Sequence, residues 1–231
     1  MLTAGFVWLL ALPQARFPLL LLVESEYEFP LRPNGWGVED RRGFWEFSQR
    51  PQAPFRLLEP QRITGSKPQD FLEKLKSTWD SLRQSQAERT EVVGVYLAAH
   101  GHVDRSCHPF LIPANGDVSS PGTWIPLEEV LSVLAWNGNE RDETADSPRV
   151  ILFLDGARAP VTEASGVSHR DFATAVRKLV AGTGRADLEV WLSADDSQRS
   201  LSGEEFGGSL FARLLLVGLA GAADERPNSI Q

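Results

Sequence analysis

The chain has 231 residues, 42% hydrophobic and 23% charged, ordinary proportions for a soluble globular protein of one large domain or two small ones. Its formal net charge of -8 excludes a broad nucleic-acid-binding surface. A single cysteine, Cys107, excludes an internal disulfide and a cysteine-rich zinc site, and favours a reducing, cytoplasmic setting.

Gly5 to Val23 is mostly apolar but is interrupted by Pro13, Gln14 and Arg16, which is poor for a membrane-spanning helix. No Lys or Arg precedes Phe6–Leu12, so a signal peptide is also poorly supported, and residues 1–16 read as a leading segment. The run from Phe17 to Val23 suits a strand buried on both faces, and Phe55–Leu58 is a short second candidate. Between them, Glu39–Ser48 has helical character, with Phe44, Trp45 and Phe47 clustered. Ser66 and Gln69 have capping-box spacing, and Phe71, Leu72, Leu75, Trp79 and Leu82 recur at helical intervals. A strand over Glu91–Ala99 delivers His100-Gly101, and a long polar loop is expected over Gly101–Gly122. Pro126–Trp136 reads as a helix and Asn137–Pro148 as a charged linker. A second buried strand, Arg149–Leu154, delivers Asp155-Gly156-Ala157-Arg158. A helix through Phe172 to Val180, with Ser168 and Asp171 as its caps, leads to a strand over Asp187–Ser193 and a last helix over Ser209–Ala220. The tryptophans at 36, 45, 79, 124, 136 and 191 read as core and loop anchors.

This alternation predicts an α/β fold with a mainly parallel central sheet flanked by helices, its site at the carboxyl ends of the strands. His100, Asp155 and the Ser193-Ala194-Asp195-Asp196 run all fall there. A histidine at a strand end suits a general base, and the glycine after it lets substrate approach and offers an N–H to an oxyanion.

At these residues the chain resembles the caspase-like cysteine peptidases, especially their metacaspase and bacterial branches. The elements that match are the strand with His100-Gly101, the strand with Asp155-Gly156-Ala157, where the family has Asp-x-Cys, and the strand with Ser193–Gln198. Gly208-Ser209-Leu210-Phe211 and Gly221-Ala222-Ala223-Asp224 match the next helix and its exit. The resemblance implies a three-layer sandwich in one domain over 1–231; the tail after Gly221-Ala222-Ala223-Asp224 has turn chemistry with no following element, so a truncated or processed piece of a longer protein is expected. The resemblance implies His100 as base, position 157 as nucleophile, and the N–H groups of Gly101 and residue 157 as the oxyanion hole. Asp155 and Asp196, with Glu24 nearby, match acidic specificity positions that favour Arg or Lys before the scissile bond; Arg32 is the competing anchor, for an acidic side chain. Protein substrates and an activating sensor or regulatory protein are implied as partners, nucleic acid and membrane are not, and no cofactor or metal is called for.

Alanine at 157 departs from the family. Losing a nucleophile typically costs on the order of a million-fold in turnover, so the chain as written is expected to be inert. Either a peptidase has been inactivated or this is a natural pseudopeptidase acting as a protein-binding module; the retained base, glycines and acidic positions favour the former. A third reading is an unrelated α/β domain that holds a small ligand at its strand ends. Cys107, beside His108, is an ordinary loop cysteine in this reading, because adjacent side chains diverge. His102 and His108 lack the companions of a metal site, and His169 reads as a surface residue.

Overall fold

The computed structural model describes residues 16–27, 35–58, 67–85, 90–117, 119–136, 147–156, 172–196, 198 and 200–222. The leading segment to residue 15, Arg32, the cap residues Ser66, Ser168 and Asp171, His169, most of the charged linker, Ala157, Arg158 and the tail from 223 lie outside them.

Five strands form the central sheet: β1 (Phe17–Val23), β2 (Phe55–Leu57), β3 (Val92–Ala98), β7 (Arg149–Asp155) and β8 (Leu188–Leu192). They stand in the order β2-β1-β3-β7-β8, and every pair is parallel. The near-continuous apolar runs of β1, β3 and β7 occupy the middle of the sheet, where both faces are covered.

Successive side chains of a strand point to opposite faces, and the two sets separate cleanly. Leu20 and Leu22, Val93, Val95 and Leu97, and Val150, Leu152 and Leu154 share one core with α2 (Pro68–Ser85), α3 (Leu127–Val133) and α4 (Phe172–Thr183). Leu19, Leu21 and Val23, Tyr96 and Ala98, and Ile151 and Phe153 share the other with α1 (Gly37–Ser48) and α5 (Leu210–Val217). The spacing of Phe71, Leu72, Leu75, Trp79 and Leu82 puts all five on the buried stripe of α2, as their recurrence predicts. The result is the expected three-layer α/β sandwich with a parallel central sheet.

Two expectations fail. The segment read as one polar loop contains β4 (His100–Val103) and β5 (Pro109–Ile112), which pair antiparallel and join β6 (Ile125–Pro126) in a small second sheet. Strands of four residues, one of them His-Gly-His-Val, carry too little hydrophobic alternation to register. Trp45 is not an anchor but is 57% exposed, on the outer face of α1, whereas Trp79 and Trp124 are buried. A two-strand ribbon, β9 (Ser202–Gly203) with β10 (Gly208–Ser209), precedes α5, and the Ser209 side chain caps that helix by accepting from the Ala212 N–H. Among the described residues no helix is long and apolar enough to cross a membrane.

Candidate functional site

The register places Val23, Ala98 and Asp155 side by side at the carboxyl ends of the three central strands. The residues that leave those ends therefore meet. The Glu24 N–H donates to the Ala98 carbonyl at 2.9 Å, the Ala99 N–H to Asp155 O at 3.3 Å, and the Ser193 N–H to Leu154 O at 3.1 Å. His100 and the Asp155-Gly156 pair are thus neighbours through the sheet, although more than fifty residues separate them in the chain.

His100 is 2% exposed. Its backbone N–H donates to the Tyr27 hydroxyl at 2.8 Å, and the two rings are in contact, tilted 31° to one another with centroids 4.1 Å apart. The Gly101 N–H, expected to serve an oxyanion, donates instead to Gly156 O at 2.5 Å. Both glycines are required by this approach: a Cβ on Gly101 would run into Gly156 O and stand 2.7 Å from the Phe172 ring, and one on Gly156 would stand 2.5 Å from the same ring. Phe172, first residue of α4, seals the joint from behind. Residue 157, the second expected oxyanion donor and the nucleophile position, lies outside the described residues.

Asp155 continues the parity of Ile151 and Phe153, so its side chain points to the α1/α5 face, where it is fully buried. There it takes part in a polar cluster. Asp155 Oδ1 accepts from the Ser200 hydroxyl at 2.7 Å and Oδ2 from Tyr96 Oη at 3.1 Å. Tyr96 Oη also lies 3.3 Å from Asp40 Oδ2 and 3.3 Å from Ser209 Oγ, and the Ser209 N–H donates to Asp40 Oδ1 at 2.7 Å. Asp40, on α1, is 3% exposed. Two buried carboxylates from distant elements therefore share one tyrosine hydroxyl. Buried charge of one sign is costly unless donors or a cation compensate it, and Tyr96, Ser200 and Ser209 supply such donors.

The structure thus brings Asp155 together with Asp40, whereas Asp196 is engaged elsewhere. One Asp196 oxygen accepts the Thr174 N–H at 2.9 Å and the other the Thr174 hydroxyl, which places this carboxylate on the first turn of α4, where unpaired N–H groups and the helix dipole favour an anion. Its neighbour Asp195 pairs with Arg177 in solvent; the Asp196 N–H and the Arg177 guanidinium hold that carboxyl below its ordinary range. Glu24 is fully buried at the end of β1, with Oε1 accepting from the Ser25 and Glu26 N–H groups. Cys107 is exposed at the β4–β5 turn with a positive φ of 63°, and His108 reaches Asp104 at 3.2 Å in the same turn. His102 is buried edge-on against Trp124. Among the described residues no group of three or more His, Cys, Asp or Glu side chains is arranged to hold a metal ion.

The sequence names neither Asp40 nor Tyr27 as a site residue, and it gives Tyr96 and Phe172 only as members of a strand and a helix. One signal for Asp40 was present: it precedes Phe44 by four residues, which puts a carboxylate on the apolar face of α1. Tyr96 was the one residue with a polar atom inside an otherwise apolar strand.

No protein-family model and no curated protein sequence matches this chain. Solved structures do. The initiator caspase Dronc of Drosophila superposes with a TM-score of 0.52 at 14% identity, over 88% of this chain and 64% of the Dronc chain. Caspase-1 from Spodoptera frugiperda superposes with a TM-score of 0.57 at 12% identity, over 92% of this chain and 72% of its own. The fold is that of the caspases. This chain spans a little under two thirds of the Dronc chain, and at such identities the likeness is one of architecture. Within that caspase-like architecture the carboxyl ends of β3 and β7 hold His100, Gly101, Asp155 and Gly156 together.

Proposed function

We propose that this chain is a caspase-like cysteine-endopeptidase domain with the nucleophile position occupied by alanine, so that as written it holds basic peptides without cutting them. His100 is the general base, position 157 the place of the nucleophile, and Asp155 with Asp40 the acidic pair that selects Arg or Lys before the scissile bond. Glu24, buried at the end of β1, accepts from its own turn, and Asp196 holds α4 in place rather than meeting substrate. One observation carries the reading: a buried histidine and a buried carboxylate, each followed by glycine, are joined by the backbone at the ends of adjacent parallel strands.

Protein substrates in the cytoplasm and an activating sensor or regulatory partner belong to the same proposal. The hydrogen bond from Gly101 to Gly156 supports an activation step. An oxyanion needs the Gly101 N–H, so the Gly156 carbonyl must turn away before catalysis.

Two experiments test this. The chain as it stands is titrated with fluorescent peptides carrying Arg, Lys, norleucine or Asp at the selected position. The basic peptides bind best, and Asp155→Asn weakens them by about tenfold to a hundredfold, the worth of a charge-assisted hydrogen bond, while norleucine peptides are unaffected. The Ala157→Cys form is then assayed on peptide libraries, with the same form carrying His100→Ala as control. Cleavage after Arg or Lys that vanishes with His100 is the expected result. A folded Ala157→Cys form that cuts nothing even with its physiological activator present removes the peptidase design, and equal binding of Asp and Arg peptides removes the acidic pocket.

A further inference from the structure

His100 sits where the chain leaves one sheet and enters another. β3 ends at Ala98 in the five-stranded sheet, and β4 begins at His100 in the three-stranded one. A residue at such a crossing is held by neither ladder as firmly as a mid-strand residue. It nevertheless carries the imidazole on which the proposed chemistry depends, and a productive base must be held to within about 0.5 Å of its place.

Tyr27 makes two separate contacts there. Its hydroxyl accepts the His100 backbone N–H at 2.8 Å, and its ring covers the imidazole at a centroid distance of 4.1 Å and an angle of 31°. Tyr27 is itself anchored: it is 8% exposed and packs with Ile112 and Trp124. Ile112 is the residue that faces His100 across the β4–β5 ladder. Backbone, ring and opposite strand are thereby tied to one side chain.

We propose that Tyr27 is the positioning residue of His100, its hydroxyl fixing the backbone at the sheet crossing and its ring fixing the plane of the imidazole. Its consequence for turnover rests on the peptidase reading above; its consequence for the geometry of His100 does not. The two contacts separate by substitution. Tyr27→Phe keeps the tilted ring contact and loses the acceptor, and Tyr27→Leu loses both.

The first measurement uses the chain as it stands, with its four histidines isotopically labelled and the His100 signals assigned by His100→Gln. In Tyr27→Phe the His100 amide resonance moves while its imidazole resonances stay. In Tyr27→Leu the imidazole resonances and their pH titration move as well, and those of His108 do not. The second uses the Ala157→Cys form. There Tyr27→Leu lowers kcat by about a hundredfold with KM unchanged, the scale of a 1 Å misplacement of a reacting group, and Tyr27→Phe, which leaves the imidazole in place, recovers most of what Leu loses. An unmoved His100 amide in Tyr27→Phe overturns the proposal, even if the Leu variant fails to fold. So do unmoved imidazole resonances in a folded Tyr27→Leu chain, or kcat values indifferent to residue 27. If the Ala157→Cys form with Tyr27 intact is silent even with its physiological activator present, the peptidase reading fails and the resonance measurements decide the role of Tyr27 alone.

Discussion

Replacing Tyr96 by Phe removes one oxygen from the centre of the polar cluster and nothing else. The ring keeps its packing against Phe44, 4.7 Å away between centroids, and against Phe211, so little hydrophobic burial is lost. What disappears is the donor 3.1 Å from Asp155 and 3.3 Å from Asp40. A hydrogen bond to an ionised group contributes about 1.5–3 kcal/mol net. Each carboxylate keeps another donor, Ser200 for Asp155 and the Ser209 N–H for Asp40, so the lower part of that range applies, about 2 kcal/mol. In a chain of this size that corresponds to a fall in Tm of about 4–8 °C. Thermal and urea unfolding of the two proteins at pH 7 measure it, with an unchanged urea m-value showing that the loss is one of native-state stability. A double-mutant cycle with Asp155→Asn isolates the bridge, because residues in one network couple by at least about 0.5–1 kcal/mol. A Tyr96→Phe protein within about 0.5 kcal/mol of its parent, or a cycle that closes additively, would refute the reasoning that this hydroxyl holds two buried carboxylates together.

Further predictions concern the joint, the thiol position and the acid limb of stability. Gly101→Ala costs about 1–3 kcal/mol by overpacking against the Gly156 carbonyl and Phe172, whereas Gly182→Ala, with open space around it in α4, is neutral or slightly stabilising; thermal unfolding separates them. In the Ala157→Cys form the new thiol alkylates with iodoacetamide faster than exposed Cys107, because a neighbouring imidazole lowers a thiol's pKa. Mass spectrometry reads the two rates, and equal rates, or an advantage that survives His100→Ala, contradict the arrangement. Arg185 binds Asp187 through two nitrogens and also donates to the Leu131 and Leu134 carbonyls at the carboxyl end of α3. Its guanidinium holds the Asp187 carboxyl below the usual range. A carboxyl depressed in the folded state adds stability above its unfolded pKa of about 3.9, and that stability is lost as pH falls through the folded value. Arg185→Gln therefore lowers stability at pH 7 by about 2 kcal/mol and flattens the acid limb of the pH–stability curve below about pH 4; a limb of unchanged steepness contradicts this.

The layers of the fold were legible in the chain because they follow from local pattern. Unbroken apolar runs from Phe17 to Val23 and from Val150 to Leu154 can sit only where both faces are covered, and the helical recurrence of Phe71, Leu75, Trp79 and Leu82 can bury only one stripe. His100 and Asp155 were legible as strand-end residues for the same reason. Who faces whom was not. Nothing local links Asp40 to Asp155; the pairing arises because α1 packs on the sheet face to which odd-numbered residues of β7 point, and because Tyr96 stands between them. Nor does the sequence near Asp196 show that its carboxylate is taken by the first turn of α4, or that near Tyr27 that its ring lies on the imidazole. The short strands β4 and β5 show as strands only through their pairing with each other, which the sequence between Gly101 and Gly122 does not display. Periodicity along the chain determines which face of an element is buried, and so the architecture; the partner of each buried polar group depends on contacts made at long sequence separation, and only the tertiary structure decided those.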